Sequence, residues 1–453
     1  MRDIEYDKPW MHLEELIEAS DFDSIRAFLD ELPDDQTALA LSRLDEDLQA
    51  VLFSQIQPDH AAVLLRHLPE VQAYELMEEL STEAAAAIVE ALPSDEQADY
   101  VGELEPEQAE EILQRLDVQT AQSLRALAEY EDDEAGGLMV REYVAFPDSY
   151  TVKDAVSDLQ SNVDKYRDYE VQYAYVVTEE GVLAGVLKLR DLLLAKPVHR
   201  ITKYMVEGPQ TVSDHATLYE LRDFFDRTAF FGVPVTDHTN VLLGIVRRSS
   251  VEEALADQNA DDYRKAQGII QEELRTMPVI TRSRRRLAWL SVNILLNVVA
   301  ASVIAMYQDT LAQVIALTVF LPIISDMSGC SGNQAVAVSM RELALGVVRP
   351  SEVARVWFKE IAVGVLNGAA LGLMIALVAY GWKGNPYLGL VVGLAMAINT
   401  MIAVSLGGTL PLIMRRLNMD PALASGPILT TVTDMFGFFL VLSMAAMMLP
   451  VLV

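Results

Sequence analysis

Thr431-Val-Thr-Asp-Met-Phe-Gly437 sets a lone carboxylate, Asp434, inside an apolar run that extends from Ala422 to Pro450. Such a run can cross a hydrocarbon core of ~30 Å, which takes about 20 helical residues. A carboxylate at that depth costs at least ~2.5–3.5 kcal/mol on insertion scales, so it faces an aqueous path or a partner. No basic residue stands near it in the sequence. The alternative is a protonated Asp hydrogen-bonded between helices. On a helix Pro427, Thr431 and Asp434 share one face, beside a stripe of Gly426, Thr430, Thr433 and Gly437. Small residues alone signal close helix packing. Joined to an Asp, that face reads as the wall of a pore.

Four further apolar stretches precede this one: Leu287–Tyr307, Leu311–Met340, Ile361–Tyr380 and Tyr387–Met414. The second contains Pro322-Ile-Ile-Ser-Asp-Met-Ser-Gly-Cys-Ser-Gly-Asn-Gln334, with a second intramembrane carboxylate, Asp326. Gly and Pro in the second and fifth stretches predict breaks of the kind tolerated where backbone lines a cavity. Arg282, Arg284, Arg285 and Arg286 precede the first span. Arg341, Arg349, Arg355 and Lys359 separate the second from the third, and Arg415 and Arg416 separate the fourth from the fifth. The other links hold only Asp309 and Lys383. By the positive-inside rule this places the N-terminus in the cytoplasm and, after five spans, the C-terminus outside. The N-terminus, Met-Arg-Asp-Ile-Glu-Tyr-Asp, lacks an apolar h-region, so no signal peptide is expected.

The net charge of −32 is unevenly spread: −29 over residues 1–139, −7 over 140–280 and +4 over 281–453. The acidic part repels nucleic acid and anionic lipid heads and attracts cations. Its alternative reading is a solvated surface or adaptation to high salt. The single cysteine, Cys330, excludes an internal disulfide. All six His precede the first span and no His or Cys cluster suits a soft metal, so an oxygen-ligated cation such as Mg²⁺ fits better. Mg²⁺ keeps several waters, so one carboxylate per chain suffices if two chains meet on a two-fold axis.

Leu32, Leu44, Ile56, Leu68, Leu80, Leu92, Leu104 and Leu116 stand at a constant spacing of twelve positions. Nine positions after each of the first seven come Leu41, Phe53, Leu65, Met77, Val89, Val101 and Leu113, and Pro or a polar turn residue follows most of the first set. Helices that short cannot stand alone, so they must stack into an all-α superhelical solenoid. A second repeat follows. Thr151-Val-Lys-Asp-Ala155 recurs as Thr211-Val-Ser-Asp-His-Ala216, and Tyr175-Val-Val-Thr178 with Gly185-Val-Leu recurs as Val233-Pro-Val-Thr236 with Gly244-Ile-Val. This α+β pattern resembles a tandem pair of CBS domains, which often bind adenosine nucleotides such as ATP. Asp191 ends an approximate ribose-binding motif, with Lys188 in place of Thr, while the second copy has Ser250 in place of the Asp. The alternative is that the copies only dimerise. Between this pair and the membrane an acidic helix is expected over Val251–Met277, carrying Glu252, Glu253, Asp257, Asp261, Asp262, Glu272 and Glu273.

The expected plan is thus multidomain: an acidic N domain (1–139), a CBS pair (140–256), a linking or plug helix (257–282) and a five-helix transmembrane domain (283–453). It resembles the MgtE family of Mg²⁺ channels over nearly the whole chain. The sharpest matches are Gly332-Asn-Gln334, Asp420-Pro-Ala-Leu-Ala-Ser-Gly-Pro427 and Thr433-Asp434. The resemblance implies a homodimer with the ion path at the subunit interface. Asp434 matches the family's pore aspartate, and Asn333 and Gly329 match its second-span motif. It also implies that Mg²⁺ bound among cytoplasmic carboxylates closes the pore, with Asp261 and Asp262 on the linking helix and Asp95 on the solenoid as matching positions; Glu252 and Asp257 are further candidates. Two departures touch selectivity: Ser328-Gly329-Cys330 replaces Gly-Gly-Asn, and Asp326 replaces Gly. Mn²⁺ and Co²⁺ therefore stay open.

The expected function is a Mg²⁺ channel of the inner (plasma) membrane, closed by negative feedback from cytoplasmic Mg²⁺. One alternative is a secondary carrier or exporter coupled to Na⁺ or H⁺, with Asp326 and Asp434 as proton relays. Another is a membrane-anchored sensor that conducts nothing, against which the cost of the two buried carboxylates argues. An enzyme is not expected, since the chain has no Gly-rich phosphate loop, nucleophile elbow or metal-ligand His motif.

Overall fold

The computed structural model describes residues 8–167, 169, 172–271 and 273–453, so the first seven residues and Glu272 lie outside it. It divides into two compact units, Met1–Asp257 and Gln258–Val453.

In the first unit, short helices of two to three turns follow one another from Pro9–Glu18 to Val118–Leu127. Leu41, Leu65, Met77 and Val89 are fully buried, in the phase that the sequence repeat predicts. Leu32, Leu80, Leu92 and Leu104 leave their helices as extended C-caps yet stay buried, which fixes each corner. Pro58 and Pro106 start the next helix at its first position, where a missing N–H costs nothing.

The CBS pair forms two four-stranded sheets. One has the order β2-β3-β4-β5, with β2 Val144–Pro147, β3 Tyr173–Val177, β4 Leu183–Lys188 and β5 Val206–Glu207. The other has the order β1-β8-β7-β6, with β1 Met139–Val140, β6 Val212–Ser213, β7 Gly232–Thr236 and β8 Leu242–Arg247. The boundary expected between 139 and 140 therefore falls inside a strand that completes the second copy's sheet. The repeat register also needs correction. Thr151 caps helix Val152–Ser161 in a capping box with Asp154, but its counterpart is Thr217, which boxes with Glu220 at the start of Leu218–Arg227. Thr211 directly precedes strand β6 instead. The letters Thr-Val-x-Asp match at both places; only the cap geometry distinguishes them.

The linking helix spans Arg248–Ala266 and stops short of the expected Met277. Gly268 takes a left-handed φ of +80°, a conformation other residues rarely adopt, and the described residues from there to Pro278 form no helix. The helix Val279–Met306 already contains Arg282–Arg286, so the basic cluster is its first turns.

Helices Leu317–Ala344, Val353–Lys383, Pro386–Arg416 and Pro421–Met447 complete the second unit, here called the second- to fifth-span helices. Pro322, Pro411 and Pro427 sit inside them without ending them, so the breaks expected in the second and fifth are absent. Among the described residues four helices, Val279–Met306, Pro350–Lys383, Pro386–Arg416 and Ser425–Met447, are long and apolar enough to cross a membrane. The second-span helix has 28 residues but is not among them. Asp326 and the Ser, Gly, Asn and Gln around it lower its hydropathy. The fourth-span helix is the most buried of the four, and contacts its neighbours through glycine. A Cβ on Gly368 would lie 2.4 Å from the Ala397 carbonyl oxygen, and one on Gly407 2.2 Å from that of Gly332. The first- and third-span helices leave Leu290, Ile294, Val298, Leu366, Leu373 and Leu377 exposed, a surface suited to lipid.

Candidate functional site

The two intramembrane carboxylates come to one level. Asp434 retains 8% exposure and accepts a hydrogen bond from the Ser325 hydroxyl of the second-span helix. Asp326, the next residue along that helix, is exposed. So are Pro322, Cys330 and Asn333, which with Asp326 fall at i, i+4, i+8 and i+11 on one face. Asn333 lies about 10 Å from Asp326 along the axis at ~1.5 Å per residue. Gly329 is buried one position from Cys330, off this face. Asp434 is thus buried against the second-span helix, with the Ser325 hydroxyl as its hydrogen-bond partner.

Behind this face lies a polar pair that the sequence reading missed. Asn399 and Thr400, midway along the fourth-span helix, are fully buried. Among the described residues, neither the Asn399 amide nor the Thr400 hydroxyl has a hydrogen-bond partner. Other buried hydroxyls nearby are satisfied: Thr433 donates to the Thr430 carbonyl, Ser405 to Met401 and Ser339 to Gly408. Asn399 presses on Gly437, where a Cβ would stand 2.6 Å from its Nδ2. A lone amide in Met396-Ala-Ile-Asn-Thr-Met401 was the available signal.

The cytoplasmic candidates fall into three places. Asp261 and Asp262 sit near the end of the linking helix. Lys265 Nζ lies 2.7 Å from Asp261 Oδ2 and 3.2 Å from Asp420 Oδ2, and Arg264 Nη2 lies 3.2 Å from Asp261 Oδ1. Asp420 caps the fifth-span helix, its Oδ1 accepting from the Ala422 N–H at 2.8 Å. Burial works upward on the Asp261 carboxyl, but Lys265 and Arg264 hold it below its usual value. Burial and Asp420 push Asp262 up, against the pull of Lys265. Further along, Arg286 and Arg282 hold Glu273 down at about 2.

Asp95 lies on the solenoid helix Ser94–Glu103. Burial pushes its carboxyl up to about 6, with Glu96 and Glu142 adding repulsion and Arg247 opposing. Glu252 lines a cleft of about 220 Å³ in the CBS pair with Tyr173, Phe231, Ile245, Arg247 and Arg248. Asp191 is not part of that lining; its Oδ1 lies 3.3 Å from Arg190 Nη2. Asp257 is exposed. Among the described residues no three His, Cys, Asp or Glu converge as a ready metal centre.

Three family descriptions match the chain: the divalent cation transporter MgtE at residues 321–444, the MgtE intracellular N domain at 33–133, and the CBS domain at 135–197 and 201–257. The magnesium transporter MgtE of Bacillus subtilis is 31% identical over 73% of this chain and 73% of its own. That of Thermus thermophilus is 34% identical over 74% of each. Among solved structures, the cytosolic domain of the Mg²⁺ channel MgtE in complex with ATP is 30% identical, with a TM-score of 0.36, covering 54% of this chain and 99% of that one. With such identity over nearly three quarters of both chains, this protein belongs to the MgtE family of magnesium transporters.

Proposed function

We propose that the chain works as a homodimeric Mg²⁺ channel of the inner membrane, N-terminus in the cytoplasm and C-terminus outside, closed by cytoplasmic Mg²⁺. The observation that carries this is the exposed face of the second-span helix. Asp326 and Asn333 stand uncovered on a helix grouped with apolar spans. Polar groups bared to hydrocarbon are costly, so a second copy and an aqueous path must cover them. A two-fold axis along this face doubles Asp434 and Asp326. That suits a cation that keeps its inner waters and needs only one or two carboxylates. It also explains why one chain need not assemble a metal centre by itself.

Cys330 tests the arrangement, being the sole cysteine and lying on that face. A bifunctional thiol reagent should convert the membrane-embedded protein to covalent dimers, and Cys330→Ser should abolish the product. Persistent monomer with fully modified thiols would place the face elsewhere.

Closure would use the carboxylates of the solenoid, CBS pair and linking helix as Mg²⁺ ligands, with Asp95, Glu252, Asp257, Asp261 and Asp262 as candidates. For Asp95 this predicts a pH dependence. Its folded value of about 6 lies above the ~3.9 of an unfolded Asp. The stability tied to its neutral form is complete below ~3.9 and is lost as pH rises through about 6. Mg²⁺ needs the charged form, so its stabilisation of the full chain should be larger at pH 7.5 than at pH 5. Asp95→Asn should flatten that difference; an unchanged pH profile would remove Asp95 from the set. The CBS cleft, with Arg247 and Arg248 beside Tyr173 and Ile245, is the proposed adenosine nucleotide site.

A further inference from the structure

We propose that Lys265 is a tethered competitor of the regulatory cation, setting the Mg²⁺ concentration at which the channel closes. This rests on the reading of the linking helix as a cation sensor. The Lys265 ammonium stands between Asp261 and Asp420, within salt-bridge distance of both. It therefore occupies carboxylate oxygens on two elements, the linking helix and the cap of the helix that carries Asp434. Asp262 adds a third carboxylate, one that feels the negative charge of Asp420. A divalent cation joining these elements needs oxygen ligands at about 2.0–2.1 Å, and like-charge repulsion prevents it from sharing them with an ammonium.

The side chain suits displacement. A lysine is a compact point charge with rotatable donors on a flexible four-carbon stem, so it can swing away without unfolding its helix. Lys265 also lies in the last turn, where the helix macrodipole favours a cation, so its resting place near the site is stabilised. At low Mg²⁺ the carboxylates are thus compensated by the protein's own cation rather than bare. Closure requires exchange of one ammonium for one divalent ion, and the apparent affinity is reduced by the fraction of time the ammonium is seated.

The opposite reading is a latch, in which the ammonium pins the linking helix to the fifth-span helix and favours closure. The two predict opposite shifts. Full-length protein in liposomes is measured for Mg²⁺ flux while Mg²⁺ on the cytoplasmic side is varied. Lys265→Gln, which is one atom shorter but keeps a hydrogen-bond donor and removes the charge, should close at about three- to tenfold lower Mg²⁺. Lys265→Arg should stay near the parent protein. If the parent closes and Lys265→Gln closes at the same or higher Mg²⁺, the competitor role is overturned while feedback gating stands. If the parent does not respond to cytoplasmic Mg²⁺, the gating reading falls and this one with it. A Mg²⁺-dependent thermal shift whose midpoint does not fall in Lys265→Gln also overturns the proposal, whatever the flux.

Discussion

Asp434→Ala should reduce Mg²⁺ flux into liposomes by at least about a hundredfold, with protein incorporation unchanged. A unit charge ~4 Å from another is worth ~4 kcal/mol at an effective dielectric of about 20, and more for a divalent ion. For a divalent ion that is ~8 kcal/mol, and losing half of it already exceeds a hundredfold change, at about 1.4 kcal/mol per decade. Asp434→Asn separates charge from shape, since an amide oxygen can still accept from Ser325. If the carboxylate works as a charge, Asn should behave like Ala. If Asn restores flux, Asp434 is an interhelical hydrogen-bond acceptor and the ion passes elsewhere. Asp326→Asn should have a smaller effect, because Asp326 is exposed whereas Asp434 is buried.

Asp261→Ala/Asp262→Ala should raise the Mg²⁺ concentration needed for closure by about tenfold or abolish closure, the reverse of the shift expected for Lys265→Gln. The pair removes ligands rather than a competitor. Bare carboxylates are not the resting condition here, because Lys265 and Arg264 already neutralise Asp261. The driving term is instead the gain when a doubly charged ion replaces a singly charged one. Closure at unaltered Mg²⁺ in the double variant would exclude this junction as a sensor.

The parts of the fold legible in the sequence are those whose pattern repeats. An aliphatic side chain at every twelfth position places each buried corner of the solenoid without reference to distant contacts. The CBS strands were legible too, but the second copy slipped because Thr211 and Thr217 both precede plausible caps, and the choice depends on which hydroxyl meets the backbone of the residue three positions on. The linking helix was read too long although Gln267-Gly268 carried a stop signal. The apolar stretches predict five spans, and the second-span helix is less apolar than the other four because it bears the polar residues assigned to function. Asp434 and Asp326 could be singled out from chemistry alone, and Asn333 from the family resemblance. That Ser325 would meet Asp434, far along the chain, could not, nor that Lys265 would reach Asp420. Such pairings arise from how helices cross, which no local pattern encodes.

The most direct measurement is current through the purified protein in a planar bilayer, with Mg²⁺ the only permeant cation and no Na⁺ or H⁺ gradient. The account predicts Mg²⁺ currents above the turnover of a carrier, falling as Mg²⁺ rises on the cytoplasmic side. Absence of current, with Mg²⁺ movement appearing only when a Na⁺ or H⁺ gradient is imposed, would contradict it.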